Sequence, residues 1–146
     1  MAITQALANS FKKELLEAEH DFTQTTGDKF KIALYTSSAT LSSATTSYTT
    51  GNEVGASGQY TAGGGALVNN GTSIASGVAI VDFADRSFTG VTLTARGALI
   101  YNTSATVTDA AVCALDFGAD KTATSGTFTI QFPAFTTSAA ILRISG

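Results

Sequence analysis

The feature that most constrains this chain is a change of period near residue 28. Over residues 1–22 the apolar positions Ile3, Leu7, Phe11, Leu15 and Ala18 recur every three or four residues, while Lys12, Lys13, Glu14, Glu17 and Glu19 cover other faces. This is the pattern of an amphipathic helix lying on a support. Thr4 is its candidate N-cap, and Thr25-Thr26-Gly27-Asp28 supplies the break after it. From Asp28 onward the period is two: Phe30, Ile32 and Leu34 share one face of a strand and Lys31, Ala33 and Tyr35 the other, as in a half-buried sheet.

Further strand-like runs cover 78–83, 88–94, 98–101, 111–117, 128–132 and 140–144. Most of their starts lie roughly 10 to 13 residues apart, the rhythm of sandwiches and barrels. No helical stretch separates them, which argues against parallel βαβ units. The expected fold is mainly β: an antiparallel β-sandwich, jelly-roll-like, preceded by one N-terminal amphipathic α-helix. Residues 1–22 are assigned to the helix and 23–146 to a single β-sandwich domain. The helical stripe has two candidate supports, the chain's own sheet and a neighbouring subunit.

Composition narrows the function classes. A chain of 146 residues is the size of one domain with one core. Charged residues make up 13% of it, against about a quarter in ordinary domains, so hydroxyls, amides and backbone must form much of the solvated surface. Such a surface suits contact with protein. The net charge is -3 and the eight Lys and Arg are scattered, which argues against nucleic acid as a partner. No apolar run reaches the ~20 residues needed to span a bilayer, so no membrane partner is expected. The N-terminus has no signal-peptide core, and a cytoplasmic site of synthesis and folding is expected. Cys113 is the only cysteine, set in Ala111-Val112-Cys113-Ala114-Leu115, and reads as a small apolar side chain in a buried strand.

Motifs for chemistry are weak. Asp116-Phe117-Gly118 matches the kinase magnesium motif by letters, without the nucleotide loop or catalytic loop that would give it meaning. Gly63-Gly64-Gly65 lacks the Gly-Lys-Thr/Ser ending of a phosphate cradle. His20, the one histidine, falls in the last turn of the expected helix, where it would sit beside the terminal carbonyls. The pairs Asp82/Asp85 and Asp116/Asp120 lie at strand ends; they read as turn caps, with calcium-type cation binding as the alternative. No catalytic residue, cofactor or metal is expected. The sequons at Asn70 and Asn102 carry no weight without a secretory route.

The long connection 37–65 is dominated by Thr, Ser, Gly and Ala, with Tyr48, Glu53, Val54 and Tyr60 as anchors. Connections of this length are functional or disordered more often than idle. These four residues, with Phe11 and Leu15 of the helix, form the expected contact set. They would pin the loop to the sandwich or to a partner.

The order of segments resembles a group of small tailed-bacteriophage virion proteins. The likeness is carried by Leu15-Leu16-Glu17 and His20-Asp21-Phe22, the run from Gly27 through Lys31-Ile32-Ala33-Leu34-Tyr35 to Ser37, and the loop from Tyr48 to Gly64. It continues in Thr94-Ala95-Arg96-Gly97-Ala98-Leu99-Ile100-Tyr101-Asn102, in Leu115-Asp116-Phe117-Gly118-Ala119-Asp120-Lys121 and in Phe128-Thr129-Ile130-Gln131-Phe132-Pro133. The resemblance implies a non-enzymatic virion component, first of all a capsid decoration or cement protein. Its implied partners are the major capsid protein and copies of itself, as a homotrimer on the capsid surface, after synthesis in the bacterial host cytoplasm. A tail, baseplate or fibre-associated subunit, including a receptor-binding tip, is the second implied role. A small hydrolase is the third class weighed, and no residues converge for it.

Overall fold

The apolar stripe expected of one long helix is divided among three kinds of structure. In the computed structural model, which describes residues 2–146, Ile3 forms a parallel bridge to Leu41. Ala6–Leu7 then form strand β1, and the helix, α1, spans only Asn9–Leu16. Pairing competes with helix here: β1 lies antiparallel to Cys113 and Ala114, and the Ala8 N–H donates to the Val112 carbonyl at 3.0 Å. Of the two candidate supports, the chain's own core takes Phe11, which is buried, while Leu15 packs half-buried against that core.

The helix ends in a Schellman arrangement. The Glu19 N–H donates to the Glu14 carbonyl at 3.0 Å and the Ala18 N–H to the Leu15 carbonyl at 3.3 Å. Ala18 closes the motif with φ 60°, a conformation that favours glycine because Cβ crowds the following carbonyl. His20 therefore lies beyond the helix, in the arm that leads to the first sheet, rather than in a last helical turn.

Two antiparallel sheets follow. β2 (Phe30–Tyr35) and β3 (Gly65–Ala66) belong to a five-stranded sheet with order β1-β7-β6-β2-β3, completed by β6 (Arg86–Asn102) and β7 (Ala110–Ile130). β4 (Asn69–Ala75), β5 (Val78–Phe83) and β8 (Leu142–Ile144) form a three-stranded sheet with order β4-β5-β8. The arrangement is sandwich-like, with the two sheets meeting across a shared core. β2 departs from the half-buried expectation: Ile32, Ala33, Leu34 and Tyr35 are all fully buried, since the strand lies between β6 and β3 and is covered on both faces. The runs 88–94 and 98–101 join into β6, and 111–117 joins the first three residues of the 128–132 run in β7, which ends at Ile130. Register shifts at Phe88/Val91, Val91/Leu93 and Ala95/Gly97 interrupt their alternation without ending the ladder.

Phenylalanines join the pieces. Phe22 of the arm stacks on Phe30 of β2 at 4.6 Å between ring centroids, and both rings approach Phe83 of β5, at 6.4 and 5.6 Å. Phe11 of α1 meets Phe22 edge-on at 6.0 Å, and Phe132 meets Phe83 at 6.0 Å. No helix among the described residues is long and apolar enough to cross a membrane.

Replacing Ala18 by glycine removes the Cβ conflict and leaves the hydrogen bonds in place. Ala18→Gly is expected to stabilise the fold by about 1 kcal/mol and Ala18→Val to destabilise it. The measurement is the urea midpoint at unchanged slope; a glycine variant no more stable than the parent contradicts the strain.

Candidate docking surface

The long 37–65 connection is held from within by a carboxylate. Glu53 is half-buried and accepts three hydrogen bonds: from the Tyr48 hydroxyl at 2.5 Å, the Tyr60 hydroxyl at 2.7 Å and the Gly63 N–H at 2.8 Å. The Tyr60 oxygen also accepts from the Leu34 N–H at 2.7 Å, which fastens the loop to β2. Tyr35 donates to the Thr49 carbonyl and Tyr101 to the Gly63 carbonyl, both at 2.6 Å, and Tyr48 stacks on Tyr101 at 4.8 Å. All four tyrosines of the chain thus serve this one loop. Gly64, at φ +80°, is pressed so closely on β2 that a Cβ would come within 1.8 Å of the Ile32 carbonyl oxygen.

Of the two roles open to these residues, pinning the loop to the chain's own body is the one the structure displays. Tyr60 and Phe11 are 0% and 3% exposed, Val54 is buried with them, and Tyr48 and Glu53 turn inward to each other. In the folded chain these side chains anchor the loop and α1 internally, leaving little of themselves for a partner. Aromatic residues in a polar loop fit either role, and here the buried Leu34 and Tyr35 offered them a core to reach.

The exposed apolar surface lies elsewhere. Between α1 and the small sheet runs a cleft of about 380 Å³, walled by Phe11 and Leu15 on one side and by Ala79, Val81 and Leu142 on the other. Leu16 at its edge is 90% exposed. Ile74 pairs with Ala79, and Ala79 with Ile144, so the three lie in one row on one face of the sheet. Ile74 and Ile144 are 73% and 59% exposed. Isolated surface leucines and isoleucines need no explanation, but three such residues around one apolar cleft make it the candidate docking surface.

The remaining candidates sit in local networks. His20 is buried; its Nε2 lies 2.9 Å from Glu14 Oε1 and its Nδ1 3.0 Å from Asn102 Nδ2. The Asn102 oxygen accepts from the Ser104 and Ala105 N–H groups, which orients its amide nitrogen toward His20 and Asp28. His20 Nδ1 is therefore the acceptor and Nε2–H the donor to Glu14. Asp82 accepts from the Asn70 amide and Asp85 from the Phe132 N–H. The Gly118 N–H, and then Arg96, hold the Asp116 carboxyl below the ordinary aspartate range. No group of three or more His, Cys, Asp or Glu side chains converges among the described residues. Burial pushes the Cys113 thiol up to about 12.

Searches against protein-family models, curated proteins and solved structures find no significant match to this chain.

Burial first, and then the nearby Glu53 carboxylate, push the Tyr48 and Tyr60 phenols up. Burial also raises Tyr35, and raises Tyr101 to about 12. The unfolded chain ionises at the ordinary phenol value of 10.0, while the folded phenols remain neutral above it. Their contribution to stability is therefore complete below that pH and is lost as pH climbs toward 12. Ultraviolet titration should show phenolate forming together with loss of structure, and early, independent phenolate formation would contradict the network. Glu53→Ala leaves the Gly63 N–H and two hydroxyls without their acceptor and should cost about 2–4 kcal/mol in chemical denaturation. The buried Cys113 thiol should resist aromatic disulfide reagents in the native protein and react on unfolding; rapid native reaction would contradict its burial.

Proposed function

We propose that this chain is a non-enzymatic structural protein of a tailed-bacteriophage particle, a decoration or cement protein that binds and stabilises the major capsid shell. The observation that carries this reading is the exposed apolar row and cleft at α1 and the small sheet, on a body whose other anchors are turned inward. Support also comes from the resemblance of its segments to small virion proteins and from its sparsely charged, hydroxyl-rich exterior. On that exterior Ser87 and Thr129, and Thr94 and Thr122, pair side chain to side chain across β6 and β7 at 2.9 Å.

The physics of such a role follows from these parts. An apolar patch supplies contact free energy at roughly 25 cal/mol per Å² removed from water, less the cost of association. Hydroxyl surfaces add hydrogen bonds that salt screens little. Each contact is modest, and copies joined in a homotrimer on the shell would multiply it through effective concentration. The chain would be made in the bacterial host cytoplasm and reside on the capsid surface, away from the packaged nucleic acid.

Copy number decides the matter. Purified particles should contain hundreds of copies, and shells assembled without the protein should release DNA at a lower temperature. A few to a few dozen copies per particle, with normal heat resistance and lost adsorption, would place the chain in the tail, baseplate or fibre instead. Absence from purified particles would end the virion reading altogether.

A further inference from the structure

We infer that His20 is an acid-released latch: uptake of a second ring proton, on Nδ1, separates α1 and the arm that follows it from the loop after β6. The latch stands apart from the virion reading and uses a buried group that the reading leaves idle.

The seat is built for the neutral ring. His20 is the chain's one histidine, its side chain is 0% exposed, and Phe11 and Phe22 lie 4.8 and 6.5 Å from it between ring centroids. Its Nε2–H donates to Glu14 Oε1, and its Nδ1 accepts from Asn102 Nδ2. Asn102 is fully buried and has every polar group of its side chain engaged. Its nitrogen also donates to Asp28 Oδ2 at 2.6 Å, and its oxygen accepts from the Ser104 and Ala105 N–H groups at 2.8 and 3.2 Å. A proton on His20 Nδ1 would set two donors against each other at 3.0 Å. Turning the amide over gives no relief, because its oxygen would then face the Asp28 carboxylate and its nitrogen the two backbone donors.

The charges around the ring draw that proton in. They are acidic: Glu14 on α1, and Glu19 and Asp28 on the arm. The nearby lysines are turned elsewhere, Lys13 to Glu17 and Lys29 to the Thr25 carbonyl. The loop after β6 presents the hydroxyls of Thr103, Ser104 and Thr106, and Ala110 of β7, paired with Asn102, is apolar. Acidic surroundings favour a charged imidazole while Asn102 refuses one in the closed seat, so proton uptake and withdrawal of Asn102 occur as one step. Glu14 keeps its hold on the ring through that step. The parting therefore runs between the arm and the loop, where Thr103 and Ser104 bond Lys29 and Thr106 bonds Glu19. Since α1 walls the apolar cleft, the latch bears on the shape of that surface.

The test is nuclear magnetic resonance on the intact chain, where a single histidine gives an unambiguous ring signal. At about pH 7.5 the ring should be neutral with its proton on Nε2. An imidazole freed into water charges near pH ~6.5, and an opening that binds this proton grows about tenfold for each unit below that. The latch is thus shut above that pH and weakens as pH falls. Hydrogen-exchange protection at the Glu19, Asp28, Ser104 and Ala105 amides, corrected for intrinsic rates, should drop about tenfold between about pH 6.5 and 5.5, in step with ring charging. The Leu99 and Ile100 amides inside the large sheet should keep theirs. An imidazolium that forms with protection unchanged overturns the latch. So does a ring still neutral where exposed carboxylates have protonated, or a loss of protection spread evenly over both sheets. His20→Gln should lack the step. Glu14→Gln keeps an oxygen for Nε2–H and removes one charge that draws the proton, so its step should move about one pH unit lower. A step that survives in His20→Gln, or one unmoved in Glu14→Gln, also overturns the latch; should His20→Gln fail to fold, the parent and Glu14→Gln decide.

Discussion

The packing of Phe22 between Phe11, Phe30 and Phe83 is the contact on which the rest of the architecture depends. These four rings come from the helix, the arm, the large sheet and the small sheet, and each pair of rings adds about 0.5–1.5 kcal/mol beyond the apolar area it buries. The small sheet has only three strands, one of them three residues long. Phe83 gives it a place on the core. Once Phe22 is seated, Phe11 must follow, and α1 is set beside the small sheet with a cleft between them. The exposed apolar surface thus results from the same packing that closes the interior.

A second, polar anchoring system works in parallel at the other side of the large sheet. Glu53 and the tyrosines convert a loop rich in serine, threonine and glycine into an ordered layer on β2 and β6. Loops of this composition have few ways to bury apolar area, so hydrogen bonds to one shared acceptor take over that role. Loss of one partner exposes the others, which makes the cluster cooperative.

Where side-chain pattern matched local structure, the sequence was a faithful guide. The runs at Phe30–Tyr35 and Val78–Phe83 are strands over their whole expected length, and the change of period near residue 28 marks the start of the first strand after the helix. β4 was illegible because Ile74 is its one large apolar residue. The turn Ser76-Gly77, with φ 52° and 75°, held the signal of a hairpin. The helix was overextended because Ile3 and Leu7 fit its stripe yet found extended partners in Leu41 and Cys113. The same ambiguity affected the contact residues. The stripe does pick Leu15 over Leu16 as the inward leucine, but nothing in Tyr48 or Tyr60 tells an anchor from a contact; only the three-dimensional core makes that choice.

The pairing of β1 with β7 has a consequence for how the chain comes into being. Ala6 and Leu7 leave the ribosome more than a hundred residues before their partners Ala114 and Cys113. β2 likewise must wait for β6, whereas β6 and β7 are consecutive and pair as a hairpin. Closure of the large sheet is therefore postponed until β7 has been made, and until then the nascent chain carries unpaired strand edges. Its low charge offers little electrostatic protection during that interval.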